Sequence, residues 1–259
     1  MHILFIADII GKPGLNIVTR LLPGLIQQTK ADLVIANGEN GADDGRGLTM
    51  EIAAAYESCG VDVITGGNHI FDKAPLRKEL GNKVNILRPL NYPPGAGGRG
   101  SILIRARNGQ AAAVISLQGR TYMQPIDCPF RTLERELKNH QEKTKTVFVD
   151  FHAESTGEKQ ALAWHFDGKV SAVIGTHTHV QTVDERILPN GTGYITDAGM
   201  TGPFESVIGM SINAAVNRFI LQTPHPNHIA QNDLRLNGVL LDVDADSGRC
   251  AMIQRLQLP

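Results

Sequence analysis

The sequence is poor in cysteine, in aromatic residues and in surplus charge of either sign. Each shortage excludes a class of protein. The three cysteines, Cys59, Cys128 and Cys250, are far apart in a chain of 259 residues. They form no C-x-x-C pair and no even disulfide set, so neither a disulfide framework nor a cysteine-ligated zinc module is expected. Cys59 and Cys250 lie in apolar-patterned segments and read as core thiols, which suits a reducing cytoplasm. The 25 basic and 26 acidic residues nearly cancel. The chain therefore lacks the general basic surface that long duplex DNA requires. No stretch reaches the ~18 apolar residues of a membrane span. The N-terminal MHILFIADIIGKPG has neither a basic leader nor a small-residue cleavage site and does not read as a signal peptide. A cytoplasmic protein without a membrane partner is the expectation. The length suits a sizeable core. With no linker, repeat or low-complexity tract, residues 1–259 are expected to form a single domain.

What is present is a βα rhythm. HILFIAD, DLVIAN, VDVITGG, KTVFVDF and VSAVIGT read as buried strands. Helical patterns lie between them, over Gly14–Thr29, Thr49–Ser58, Phe130–Gln141 and Lys159–His165, with Thr49 and Thr156 as candidate caps. Two hairpins interrupt the rhythm. One is SILIRARNGQAAAVISL, with an Asn-Gly turn; the other is the C-terminal pair of alternating strands around DADSGR. Parallel βαβ units mixed with antiparallel hairpins predict an α/β fold with two packed mixed sheets flanked by helices. LRPLNYPPGAGGRG reads as a loop over the surface or the site.

The residues just beyond the strands carry the chemistry. Asp8 follows the first strand, Glu39 and Asn40 the second, and Asn68 and His69 the third. His152 ends a later strand, and His177 and His179 follow the next, in VIGTHTHV. Residues two apart on extended chain share a face, so His177 and His179 can converge on one point, and neutral imidazole is the commonest metal ligand. Taken singly, each residue has an ordinary explanation. Asp8 suits a helix cap, Glu39 a solvated loop, Asn68 a left-handed turn after two glycines, and His152 a satisfied core position. Taken together they place only carboxylates, carboxamides and imidazoles at five strand ends, where α/β sheets bind ligands. The reading is of convergence at one edge of one sheet. The donors exceed the needs of one four-coordinate ion and contain too many nitrogens for calcium. They suit two transition metals ~3.5–4 Å apart that share a carboxylate.

The blocks Asp8, GEN, GNH, a lone His and GTHTH, in that order, resemble those of the calcineurin-like metallophosphoesterases. The wording NGEN, GGNHIFD, FHAE, GTHTHV and TDAGMTGP is similar to the bacterial YmdB-like branch. The resemblance runs from Asp8 to His179 and beyond. It implies a four-layer αββα sandwich and phosphodiesterase activity on small nucleotides, notably 2′,3′-cyclic AMP. Most of the superfamily has Asp-x-His after the first strand and a bridging Asp; here the stretch is Asp8-Ile9-Ile10 and the bridge is Glu39, so Asn40 is the natural substitute ligand. Metal one is then expected on Asp8, Glu39, Asn40 and His179, and metal two on Glu39, Asn68, His152 and His177. The oxygen-rich first site tilts the expectation toward iron or manganese, with zinc third. The resemblance further implies attack by a metal-bridging hydroxide, with His69 as general acid to the leaving oxygen. Short RNA ends are a second substrate class, and a homo-oligomer is expected.

Weaker candidates remain. Arg46 in GADDGRG reads as part of a solvated turn. Arg88, Arg99 and Arg120 are candidate phosphate or ribose contacts. Asp197 is a candidate to orient a ligand histidine, and Glu154 shares the face of His152 if that strand continues. His225 and His228 in HPNH suit a second metal site or, with Pro226 between them, an ordinary loop. Two competing readings are a TIM-barrel amidohydrolase, which also uses His-x-His but near the chain start, and a nucleotide-sensing regulatory protein with little turnover.

Overall fold

The computed structural model describes all residues except His225 and Asn227, so the candidate pair His225/His228 lies partly outside the described residues. The first half of the chain runs β1 (His2–Ile6), α1 (Gly11–Thr29), β2 (Leu33–Asn37), α2 (Met50–Ser58), β3 (Val63–Thr65), α3 (Ala74–Glu79), β4 (Ile86–Leu87), β5 (Ser101–Arg105) and β6 (Ala111–Gln118). The second half runs α4 (Pro129–His140), β7 (Val147–His152), α5 (Thr156–His165), β8 (Ala172–Thr176), β9 (Arg186–Ile187), β10 (Gly193–Ile195), β11 (Gly202–Pro203), α6 (Ile212–Leu221), β12 (Leu234–Val243) and β13 (Cys250–Leu258).

These strands form two mixed sheets. The first has the order β11-β12-β1-β2-β3-β4, with β13 beside β12; the second has the order β5-β6-β7-β8-β10-β9. β1, β2 and β3 are parallel, as are β6, β7 and β8. The two expected hairpins are β5–β6 and β12–β13, both antiparallel. The paired sheets exclude the TIM-barrel reading, which needs one closed barrel.

The alternation of side chains explains the layering. In β1, Leu4 and Ile6 pack outward with Ile17, Val18 and Leu22 of α1. Ile3 and Phe5 point the other way, into the layer between the sheets, where they meet Phe148 of β7 and Ala172 and Ile174 of β8. The opposite face of β7, Val149 and Phe151, packs with Leu133 of α4 and Leu162 of α5. Three apolar layers therefore separate helices, sheet, sheet and helices, the expected αββα order. Cys59 and Cys250 are buried as expected.

Two local expectations need correction. Thr49 does cap α2, its side chain accepting from the Ile52 amide, but α5 is capped by Ser155, not Thr156. The Ser155 hydroxyl accepts from the Glu158 amide and Thr156 is already the first helical residue. The serine precedes the turn by the one residue that lets its oxygen reach the third amide. The second correction concerns the strand ends. They do not share one sheet edge: β1, β2 and β3 belong to the first sheet and β7 and β8 to the second. The carboxyl ends of both sheets meet across the layer between them.

Phe5 and Phe148 bridge the sheets with ring centroids 5.3 Å apart. Phe148→Ala is expected to cost about 3–5 kcal/mol, the range for an aromatic deleted from a packed core. Equilibrium denaturant unfolding checks this; a loss under 1 kcal/mol would mean the two sheets do not depend on this layer.

Candidate active site

Period-two geometry carries the inter-sheet face of each strand into the site. On β7 that face presents Phe148, then Asp150, then His152, and on β8 it presents Ala172, Ile174 and Thr176. On β2 it ends in Asn37 and on β3 in Thr65. The four polar residues meet: Asp150 Oδ2 accepts from Asn37 Nδ2 at 2.9 Å and from Thr65 Oγ1 at 2.5 Å, while Asp150 Oδ1 accepts from Thr176 Oγ1 at 2.7 Å. Asp150 thereby ties the first sheet to the second at their carboxyl ends. Burial nevertheless raises its carboxyl above the ordinary range.

His152 stands on this platform. Thr176 spends its only hydroxyl proton on Asp150, so at 3.0 Å its oxygen accepts from His152 Nδ1–H. The other ring nitrogen, Nε2, then faces the loops. It lies 2.9 Å from Glu39 Oε1, 3.1 Å from Asn68 Oδ1 and 3.0 Å from His177 Nδ1. Two donors at right angles on one transition-metal ion, each ~2.1 Å away, are themselves ~3 Å apart. The loop after β3 comes this close because residue 67 is glycine. A Cβ there would sit 2.1 Å from His152 Cδ2.

The second half of the donor set lies beside the first. Asp8 is fully buried; its Oδ2 accepts from the His177 amide at 2.8 Å, and its Oδ1 has no partner among the described residues. Glu39 is equally buried, with Oε2 accepting from the His69 amide at 3.0 Å. Its Oε1 also has no hydrogen-bond donor aligned with it, despite the nearness of His152. His179 donates from Nδ1 to the Ile208 carbonyl at 3.0 Å, which leaves the Nε2 lone pair facing Asn40 at 3.2 Å and Asp8 Oδ2 at 3.9 Å. Asn40 also accepts from His69 Nδ1 at 2.8 Å. All seven expected ligands and His69 therefore converge. Among the described residues, no group of three or more His, Cys, Asp and Glu stands placed to hold a metal ion; Asn40 and Asn68 add their carboxamides beside His179 and His152.

The electrostatics favour a cation. Asp8, Glu39, Asp150 and Asp197 are all buried. Burial drives the Asp8 carboxyl well above its ordinary range, and the three neighbouring carboxylates push it further. Burial also opposes ionisation of Glu39, but the charge of His152 beside it, with the charge and amide of His69, outweighs it and holds that carboxyl at about 2. Reciprocally, burial would lower His152, yet Glu39 beside it pushes the imidazole up to about 9. Burial and the His152 charge drive His177 down to about 3. Burial likewise lowers His179 and His69.

The loop after β8 is strained. His177 and His179 hold φ values of 102° and 67°, a region that residues other than glycine avoid. Asp8 grips the His177 amide. Asp197 Oδ2 accepts from the Thr178 amide at 3.1 Å, from its hydroxyl at 2.8 Å and from the buried Lys159 ammonium at 2.7 Å. Asp197, expected to orient a ligand histidine, holds the threonine between His177 and His179. Glu154 does not bear on His152. Its Oε2 lies 3.1 Å from His177 Nε2, because the chain leaves β7 after His152 and turns toward the next loop.

The single-residue alternatives mostly fail. Asp8 is not the cap of α1, which is Ile10. Glu39 is not solvated, and Asn68 is not among the residues with positive φ. Arg46 pairs with Asp72 at 3.2 Å on the surface, as its turn reading implies. Arg88 is buried and donates to the Pro89 and Leu90 carbonyls, so it is not a phosphate contact. Arg99 and Arg120 are exposed, and the Arg120 side chain reaches the Cys128 thiol. The sequence reading missed Asn37, Thr65, Asp150, Thr176 and Lys159. Asp150 was detectable, lying two residues before His152 on the same face; Asn37 and Thr65 join it only through contacts between the sheets, and Thr176 and Lys159 through contacts within the second sheet and its helix layer.

Known proteins resemble the chain over nearly its whole length. The sequence model of a family described as YmdB-like protein matches residues 4–256. A 2′,3′-cyclic-nucleotide 2′-phosphodiesterase of Bacillus subtilis is 43% identical over 256 residues, covering 99% of this chain and 96% of the relative. A crystal structure of a hypothetical protein from Thermus thermophilus superposes with a TM-score of 0.92 at 41% identity, covering 100% of both chains. A structure described as a novel phosphatase from Mycoplasma pneumoniae superposes with a TM-score of 0.93 at 33% identity, covering 100% of this chain and 93% of that one. Match to the family model over nearly the whole length, together with these relatives, establishes that the chain belongs to the YmdB-like protein family.

Proposed function

We propose that this protein is a metal-dependent phosphoric diester hydrolase acting on small 2′,3′-cyclic nucleotides. The observation that carries this reading is the set of donor atoms from Glu39, Asn68 and His177, each about 3 Å from His152 Nε2. The unpartnered oxygens of Asp8 and Glu39 add to it. The substrate class follows the named activity of the Bacillus relative.

Asp8, Glu39, Asn40 and His179 would hold one ion, and Glu39, Asn68, His152 and His177 the other, with Glu39 shared. The first set is richer in oxygen and favours iron or manganese over zinc. When bound, two such ions supply an activated water nucleophile and positive charge against the phosphoryl oxygens. The chain's own residues do the rest. Thr176 keeps the His152 proton on Nδ1 and so keeps Nε2 free to ligate; Ile208 does the same for His179. Asn40 turns its carboxamide oxygen to His69. To ligate through that oxygen it must rotate its amide, which presents Nδ2–H to His69 Nδ1 and leaves the His69 proton on Nε2. That proton is then available to the departing ribose 2′ oxygen, with His69 as general acid.

Three outcomes are expected. Protein reconstituted with Mn²⁺ should hydrolyse 2′,3′-cyclic AMP and lose that activity with a chelator. A protein shown to hold two ions but inert toward cyclic nucleotides would shift the reading to nucleotide sensing or to another phosphoester. His69→Ala should retain both metals, measured by elemental analysis, while turnover falls ~10²–10⁴-fold. Loss of metal instead would make His69 a ligand.

The third outcome concerns protons. In the metal-free protein His152 binds its proton more tightly than in the unfolded chain, with a pKa of about 9 against ~6.5 unfolded. That proton therefore stabilises the metal-free fold fully below ~6.5, and the contribution fades as pH rises through about 9. Metal must displace the same proton, so apparent affinity should rise about tenfold per pH unit up to that value. Titration calorimetry at pH 7.5 in buffers of different ionisation enthalpy should report about one proton released at the second site. No release would remove His152 from the ligand set.

A further inference from the structure

The segment between β6 and α4 leaves the second sheet beside the site, since Gln118 pairs in register with His152. Near its start Tyr122 is 90% exposed. Its φ is 61°, in the left-handed region that tyrosine ordinarily avoids. Tyr122 thus buries almost nothing and strains the backbone, so the stability of the fold does not account for an aromatic residue there. The segment is nevertheless held firmly. The Glu158 carboxylate accepts from the Arg120 amide at 3.1 Å and from the Thr121 amide at 3.0 Å. Asn91 Nδ2 donates to the Asp127 carbonyl at 2.9 Å, and the Tyr92 hydroxyl donates to Gln124 Oε1 at 3.1 Å. Strain that the surroundings enforce is a mark of functional positions.

The position of the side chain indicates which function. Tyr122, Met123 and Gln124 line a cavity of about 410 Å³ together with Asn68 and His177. The same hollow is thus bounded on one side by two proposed metal ligands and on the other by an exposed ring. In a nucleoside 2′,3′-cyclic phosphate the ribose is a short rigid spacer between phosphorus and base. With phosphorus at the ligand side, the base falls at the rim where Tyr122 stands. We propose that Tyr122 is the base-stacking residue of the substrate site, and that it makes the enzyme prefer a purine nucleotide over a base-less cyclic phosphodiester. Stacking on an aromatic face suits any base and needs no hydrogen-bond readout. The inference rests on the phosphodiesterase reading above.

The test compares kcat/KM for adenosine 2′,3′-cyclic phosphate with that for the methyl riboside 2′,3′-cyclic phosphate, which has no base. The Mn²⁺-loaded full-length protein is used throughout. In Tyr122→Ala the purine-over-base-less ratio should fall ~5- to 150-fold, mainly through KM, the range that stacking of one base provides. Tyr122→Phe should keep the ratio. Tyr122→Gly should lose it while unfolding at the wild-type temperature or above, because glycine accepts the left-handed backbone. An unchanged ratio in Tyr122→Ala, or an equal loss on both substrates, overturns the inference alone. A wild-type protein that holds its metals but hydrolyses neither substrate overturns the functional reading and this inference with it.

Discussion

Four carboxylates buried where two sheets meet are the constraint around which this structure is organised. Asp8, Glu39, Asp150 and Asp197 are all removed from water. Buried charge of one sign is costly unless it is paired or hydrogen-bonded. Each carboxylate is answered differently. Asp197 has the Lys159 ammonium at 2.7 Å. Asp150 has three side-chain donors drawn from both sheets. Glu39 has His152, and Asp8 has one backbone amide and an oxygen without a partner. The pairing is complete at the scaffold end of the cluster and incomplete at the end that faces the cavity. That gradient from satisfied to unsatisfied is what the proposed cation would complete.

The same arrangement explains how the histidines are aimed. An imidazole can ligate only through a nitrogen without a proton, so its other nitrogen must be committed elsewhere. Thr176 and the Ile208 carbonyl make that commitment for His152 and His179. The strained loop that carries His177 and His179 is pinned from below by Asp8 and Asp197. Lys159, on a helix of the outer layer, therefore helps set the position of histidines in the site through one buried ion pair. Local strain in the loop is held by the packing of the second sheet and its helices.

Much of the fold was legible because its signals are periodic. Strands buried on both faces appear as continuous apolar runs, and the Asn-Gly hairpin follows from turn chemistry. The gathering of polar residues was legible because they follow strand ends and their types are restricted. Three points were not. The cap of α5 is Ser155, one residue from the expected Thr156, and a shift of one residue leaves composition unchanged. Asp197 acts on the histidine loop through Thr178, a contact set by the curl of the chain after β8. Glu154 reaches His177 in place of sharing the His152 face, since β7 ends at His152.

By itself, the sequence determined the αββα class and which polar side chains follow the strand ends, because both reside in residue type and spacing along one strand or helix. Only the tertiary structure decided that the strand ends belong to two sheets, and that Asn37, Thr65, Asp150 and Thr176 form the platform beneath His152. Those contacts join residues up to 113 positions apart. They exist only once the apolar layer of Phe5 and Phe148 has brought the sheets together, and no local period records which strand will face which.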